Sequence, residues 1–407
     1  MQISLSSETG LLHNVIVHTP GKEMSLMNPE IKEELLFDDI IYEEDARREH
    51  LGMLDIFRVV MPEGDGVMEI LDLARTCFEQ QEARSAYLDN LHHTHPEFNL
   101  APVLSELKKL SPEELIEFIV SGVASGISGF SLHPSPNLIF TRDLAAAVPG
   151  GLIISRAARK ARVRESVLME TIVDYHPLFK EVRNSAIRIG RQDSIEGGDI
   201  LIASGELVLI GMSERSSYSG ILKASRQLLD SGVTTVLVVD IPKQRSSMHL
   251  DTIFTFCSNS ECISFPPAID DREYNVSALQ LRDGHIITQP KVSLKSALEE
   301  YLGRKMTFIK CGGESTTNQL REQWTDGANV FALAPGVIVG YDRNTNTFEA
   351  LRKQGYEILN QYDFVDSFQF TRFSPDPETK LAISFEGNEL CRGRGGARCM
   401  TMPLNRS

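Results

Sequence analysis

Three segments of the chain repeat one local pattern: a short apolar run, a small turn containing Gly or Pro, and a second apolar run. They are residues 144–155 (LAAAVPGGLIIS), 199–211 (DILIASGELVLIG) and 329–341 (NVFALAPGVIVGY), and each predicts a β-hairpin. Residues 14–21 (NVIVHTPG) predict one arm of another. Helix-compatible stretches follow, such as 219–231 and 346–355, and then further apolar runs such as 234–240 (TTVLVVD). That order predicts repeated ββαβ-like modules rather than a single open parallel sheet.

The chain has 407 residues, enough for two or three units or for one large domain carrying an insertion. Residues 49–126 are the candidate insertion. They lack β alternation and place apolar residues at helical spacing, as in Val67, Ile70, Leu71 and Leu73, and in Leu115, Phe118 and Ile119. Ser111-Pro112-Glu113-Glu114 supplies an N-cap, a Pro at the first helical position and acids in the first turn. The division expected is a body of 1–48 and 127–407 with a helical insertion at 49–126.

Composition narrows the partners. Lys and Arg total 41 against 56 Asp and Glu, a net charge of −15 that argues against nucleic acid and for a small solute. No apolar run approaches the ~18 residues of a spanning helix, and the first residues, MQISLSSE, lack the pattern of a secretory signal. A cytoplasmic protein with no membrane partner is expected, compatible with a homodimer or larger homo-oligomer. The six cysteines are scattered and form no CxxC pair, so each reads as a free thiol. His92, His93 and His95 lie beside Pro96 with no matching ligand cluster, so they read as a loop and not a metal site. The basic run 156–164 (RAARKARVR) is compatible with a nucleic-acid patch or a solvated helix face, and the charge balance favours the second.

Four places could carry chemistry. His249 and Asp251, two apart before an apolar run, would project together from a strand; a structural His–Asp hydrogen bond is the plainer alternative. Glu196-Gly197-Gly198-Asp199 permits close backbone approach at the mouth of a strand, or is an ordinary acidic turn. Phe140-Thr141-Arg142-Asp143 stands likewise before a hairpin, with an Arg–Asp surface pair as its alternative. Cys399 follows a Gly-rich, Arg-rich loop (CRGRGGARCM), where neighbouring cations favour thiolate, so it is the best nucleophile among the six, against a buried structural thiol.

Taken in order, PNLIFTRD (136–143), ARVRE (161–165), IEGGD (195–199), GMSERSS (211–217), MHLDT (248–252) and RGRGGARCM (392–400) resemble the arginine deiminase family. The resemblance runs from Glu8-Thr9-Gly10 to the C-terminus and includes LFDDI (36–40), TDGAN (325–329) and YDRN (341–344). It implies the pentein α/β propeller, five ββαβ modules around a central site with a helical insertion. Two positions depart from the family pattern: Thr19 stands where HRPG has Arg, and Tyr42 where Trp is expected.

The resemblance also implies a reaction, L-arginine and water giving L-citrulline and ammonia, with no metal or organic cofactor. It assigns Asp143 and Asp251 to grip the guanidinium and Cys399 to attack its carbon, giving a covalent thiouronium species. His249 would protonate the leaving nitrogen and then activate water, held by Glu196. Asn137, Arg162, Arg215, Gly393 and Arg394 would bind the amino-acid end, with Phe140 packed on the aliphatic stem. The alternatives are another pentein guanidine hydrolase or amidinotransferase, whose Cys-His-acid set is similar, and a non-catalytic arginine-binding protein.

Overall fold

A computed structural model describes residues 3–62 and 66–407. Met1, Gln2 and residues 63–65, on which parts of the N-terminal and insertion readings fall, lie outside the described residues.

The strand β1 (Leu12–Val17) is not a hairpin arm as expected: Pro20 removes a backbone donor, and the chain turns instead into the short helix α1 (Lys22–Ser25). The long helix α2 (Glu43–Val60) follows, and β2 (Val67–Glu69) then pairs parallel to β1. Helical structure therefore starts at Glu43, before the expected boundary at 49, and Val67 belongs to a strand rather than a helix face. The helices α3 (Ile70–Phe78), α4 (Gln81–Thr94), α5 (Leu104–Leu107) and α6 (Pro112–Ser121) come next. The expected cap at Ser111 forms, its side chain accepting from Glu114 N while Glu114 reaches back to Ser111 N. His92 and His93 end α4 and are not in a loop as expected, and His95 caps that helix.

The three Gly- or Pro-centred segments all close as antiparallel hairpins, each with a third strand parallel to its second arm. β3 (Ala145–Val148) and β4 (Gly151–Ile154) lead through α7 (Val163–Tyr175) to β5 (Ile187–Arg188). β6 (Ile200–Ser204) and β7 (Leu207–Met212) lead through α8 (Tyr218–Asp230) to β8 (Thr235–Asp240). β9 (Phe254–Phe256) and β10 (Glu261–Ser264) form another such pair. An inserted hairpin, β11 (Val276–Arg282) and β12 (His285–Lys291), joins β8 in the preceding sheet, and α9 (Leu294–Leu302) then leads to β13 (Thr307–Lys310) beside β10.

After α10 (Thr316–Trp324), the pair β14 (Phe331–Ala334) and β15 (Val337–Tyr341) precedes α11 (Thr345–Lys353), β16 (Glu357–Asn360), α12 (Gln361–Ser367) and β17 (Leu381–Phe385). β17 lies parallel to both β15 and β16. The last strand, β18 (Met402–Arg406), runs antiparallel to β1, so the two ends of the chain share one sheet. Among the described residues there are five sheets, each containing an antiparallel pair with a parallel strand beyond it. Strands such as β7 (LVLIGM) and β8 (TVLVVD) are almost wholly buried, which explains their unbroken apolar runs.

This topology positions the site. In each sheet one turn leading into a strand of an antiparallel pair carries polar residues: Asp143 before β3, Glu196–Asp199 before β6, His249–Asp251 before β9, Asp326–Asn329 before β14 and Cys399 before β18. The last of these turns is braced from α2, where buried Glu49 accepts backbone N–H groups of Asn388, Glu389 and Leu390 at 2.9–3.1 Å. Glu49→Ala would leave those donors unpaired in the interior, at about 1–3 kcal/mol. It should lower the melting temperature, and an unchanged melting curve would remove Glu49 from this role.

Candidate active site

The glycines of Glu196-Gly197-Gly198-Asp199 bring backbone against backbone. A Cβ on Gly197 would lie 2.1 Å from Arg142 O, and one on Gly198 would lie 2.7 Å from Asp143 Oδ1 and 2.8 Å from His249 Nδ1. Only glycine lets these three turns converge. Glu196 then faces His249, with Oε2 2.8 Å from Nε2, while Asp199 turns away and accepts from Ser213, Ser216 and Leu250 N. Of the two acids, Glu196 belongs to the site and Asp199 holds the neighbouring turn in place.

His249 and Asp251 are not in a strand as the spacing suggested. Asp251 belongs to a 3-10 turn (Leu250–Thr252) ahead of β9, His249 caps that turn, and their side chains find different partners. His249 Nδ1 lies 3.6 Å from Asp143 Oδ1. Asp251 Oδ2 accepts from Arg398 Nη1 at 2.8 Å, and its two oxygens stand 3.7 and 3.8 Å from Cys399 Sγ. Asp143 pairs with Arg162, not with its neighbour Arg142, which is buried under the Phe331 ring. The surface-pair alternative for Arg142–Asp143 is thereby excluded.

Leu36, Asn137, Phe140, Asp143, Arg162, Arg215, Arg245, Met248, His249, Gly393, Arg394 and Cys399 line one enclosed cavity. Asp251 and Glu196 stand directly behind Cys399 and His249. Arg162, in the basic run read as a solvated face, is buried, and donates to Asp143, Glu165 Oε2 (3.0 Å), Asn137 O (3.1 Å) and Phe140 O (3.0 Å). A guanidinium has five N–H donors, so one remains for a ligand. Arg215 lies 3.9 Å from Glu196. Arg394, in a left-handed conformation (φ 66°), stacks 3.7 Å over the ring of Trp324, the only tryptophan. Gly393 and Gly395 wrap Phe140, where a Cβ on Gly395 would meet the ring at 2.3 Å.

The electrostatics overturn one expectation. The Cys399 thiol is pushed well above its ordinary value by burial, then by Asp251, Asp143 and Asp326, with Arg398 opposing. The adjacent Arg398 favours thiolate, but burial and the three carboxylates outweigh it. Burial disfavours the His249 imidazolium, but Asp143, Glu196 and Asp199 outweigh it and raise the pKa to about 10. Burial likewise opposes Glu196, yet its bond to His249 and the charges of His249, Arg215 and Arg162 bring it down to about 2. Ligand atoms of Asp143, Glu196 and His249 lie within 4.8 Å of one another, a spacing that a cation could use. In the structure Asp143 pairs with the Arg162 guanidinium and Glu196 with the His249 ring.

Several residues at the site carried no pattern of their own. Leu36 and Arg245 meet over the cavity, Arg245 donating to Leu36 O and to Asp38, and Asn137 Nδ2 donates to Leu35 O at 2.8 Å. Asn329 joins two functional turns, its Oδ1 accepting from Cys399 N (3.0 Å) and its Nδ2 donating to Asp251 O (2.8 Å). The signal was the pair of motifs LFDDI and TDGAN, quoted without a role. The departures lie apart from this chemistry: Thr19 N donates to Glu69, and exposed Tyr42 donates to Glu44.

The raised value of His249 contributes stability that is fully present below about pH 6.5 and is lost as pH climbs through about 10. Histidine NMR on the ligand-free protein should therefore show His249 still as imidazolium near ~pH 8, with Glu196→Gln moving its titration down. A neutral ring at ~pH 7 in the parent would contradict this assignment.

Comparison with known proteins agrees with the constellation. A family profile described as arginine deiminase matches residues 120–406. An arginine deiminase of Borreliella afzelii is 33% identical over 429 residues, covering 99% of this chain and 98% of that protein. One of Bacillus cereus (strain ATCC 10987 / NRS 248) is 36% identical over 433 residues, with the same coverage. Among solved structures, a dimethylarginine dimethylaminohydrolase of Pseudomonas aeruginosa complexed with citrulline superposes with TM-score 0.52 at 12% identity, covering 97% of this chain and 99% of that one. The amidinotransferase SxtG of Microseira wollei superposes with TM-score 0.55 at 11% identity, covering 99% and 97%. Those structures share the pentein fold alone, whereas the sequence relatives extend along nearly the whole chain with the six motifs in order, and this chain belongs to the arginine deiminase family.

Proposed function

We propose that the cavity hydrolyses free L-arginine to L-citrulline and ammonia through a covalent adduct on Cys399. The observation that carries this reading is the convergence of a thiol, the His249–Glu196 pair and two carboxylates, Asp143 and Asp251, on one end of a cavity. Arg215 and Arg394 line the same cavity. A guanidinium is a planar cation, and Asp143 and Asp251 suit its N–H edges. Arg215 and Arg394, with the one free N–H of Arg162, suit a carboxylate, and Phe140 offers a face to the stem.

The suppressed thiol fits this substrate. An arriving guanidinium places a positive charge among the carboxylates that hold the proton on sulfur, so the cation itself favours thiolate where attack must occur. The Cys399 sulfur bonds to the guanidinium carbon, and the C–N bond to the leaving nitrogen breaks as His249 donates a proton. The thiol proton and the proton from His249 both leave on that nitrogen, so thiol, guanidinium and imidazolium give thiouronium, ammonium and a neutral His249. His249, now able to act as base, draws a proton from water. The water oxygen bonds to carbon, the C–S bond breaks, and citrulline and the thiol are released.

The same reading treats 1–48 and 127–407 as the catalytic body and 49–126 as a helical insertion. It places the enzyme in the cytoplasm; among the described residues no helix is long and apolar enough to cross a membrane. Cys399→Ser should abolish citrulline formation without shifting the melting temperature, and quenched wild-type reactions should carry mass on Cys399 alone. Continued turnover by the serine variant would sink the assignment. Agmatine lacks the carboxylate and would leave Arg215 and Arg394 without a counter-anion, so arginine should exceed it by at least ~100-fold in kcat/KM. Methylated arginines, which lose an N–H and collide with a carboxylate, should be similarly poor. Equal rates on either analogue would assign a sister activity on this scaffold.

A further inference from the structure

We propose that Glu8 is a positioning residue for this reaction: through Arg398, it sets how strongly Asp251 can hold the cationic end of the substrate. The inference deepens the deiminase reading and rests on it. Glu8 lies in the segment before β1, buried and remote in sequence from Cys399. Its Oε2 accepts from Arg398 Nε at 3.1 Å and its Oε1 from Nη2 at 3.0 Å, a bidentate pair. Ile202 N donates to the same Oε1 at 3.2 Å, so Glu8 is itself held in place.

Arg398 is thereby oriented, with Nη2 also on Ile200 O at 2.7 Å and only Nη1 left for Asp251, at 2.8 Å. It is the residue directly before Cys399, so the Glu8 pair constrains both the carboxylate that meets the guanidinium and the turn that carries the sulfur. The surrounding charge makes this division matter. Arg142 and Arg406 are buried in the same layer, their guanidiniums 5.8 and 4.8 Å from the Phe331 ring. Arg142 Nη2 and Arg406 Nε and Nη2 have no hydrogen-bond partner among the described residues.

Three guanidiniums thus face two carboxylates, Glu8 and Asp251, leaving one surplus positive charge behind the site. On its other side Asp251 is faced by His249, Asp143 and the Cys399 thiol. With Glu8 neutralised the surplus becomes two, Arg398 draws on Asp251 alone, and Asp251 has less charge to offer a ligand. A cationic ligand should feel that change and a neutral one of the same shape should not. A merely structural role would affect both alike.

The test uses the full-length chain in the Cys399→Ser background, where arginine is not consumed, with calorimetric affinities for arginine and for citrulline. Glu8→Gln, nearly isosteric, should weaken arginine by about tenfold and citrulline by less than about twofold. In the Cys399 enzyme it should lower kcat at least about tenfold. Glu8→Asp keeps the charge, so it should leave the arginine-to-citrulline ratio at the parent value while kcat falls. It also serves if Glu8→Gln does not fold. Equal weakening of both ligands, no weakening, or a changed ratio in Glu8→Asp would overturn the proposal while wild-type citrulline formation stands. Failure of the wild type to form citrulline would instead remove the deiminase reading on which it rests.

Discussion

Three carboxylates, Asp143, Asp251 and Asp326, are buried around one sulfur and a fourth, Glu196, is buried against His249, and most of the site follows from the cost of putting them there. Anions taken from water must be paired or protonated. Arg162 answers Asp143, His249 answers Glu196, and Arg398 answers Asp251. Asp326 is pushed up to about 7 by burial, with Arg394 opposing and Asp251 reinforcing. Burial and the negative field that remains keep the proton on Cys399, and a guanidinium is the kind of ligand that relieves that field. Affinity for a cation and control of the nucleophile are then two results of one charge arrangement.

That arrangement needs residues from distant parts of the chain, and the module topology brings them together. Each antiparallel pair is entered by a turn, and turns can present side chains and backbone groups that a strand interior would commit to its ladder. Gly197 and Gly198 let the turn before β6 approach those before β3 and β9 to within contact. Pairing of β1 with β18 places Glu8 near Arg398, so the start of the chain supports the nucleophile near its end.

How much was legible depended on whether a residue's role is local. The hairpins at 144–155, 199–211 and 329–341 were readable because apolar runs broken by Gly or Pro are short-range signals. The N-cap at Ser111 is readable for the same reason. Residues 14–21 do not form the expected hairpin arm because β1 finds its antiparallel partner at the other end of the chain. Val67 read as helical because a three-residue strand has no periodicity of its own. His249 and Asp251 were rightly singled out but for a wrong geometry, since a 3-10 turn separates what a strand would have aligned. Glu8, Asn329 and Arg245 act through long-range bonds, which leave no trace in local spacing.

By itself the sequence determined the chemistry available: one cysteine in a glycine-rich turn, a histidine near acids, arginines that suit a carboxylate, and a repeated ββαβ order in which to set them. Only the tertiary structure decided which charges neutralise which. Arg398 adjoins Cys399 in sequence but serves Glu8 and Asp251, Arg142 adjoins Asp143 but leaves it to Arg162, and the thiol expected to ionise beside arginines is instead held neutral by burial and by carboxylates. The reason is that ionisation responds to distance and burial in three dimensions, and a side chain at the next position in a turn can point away from its neighbour.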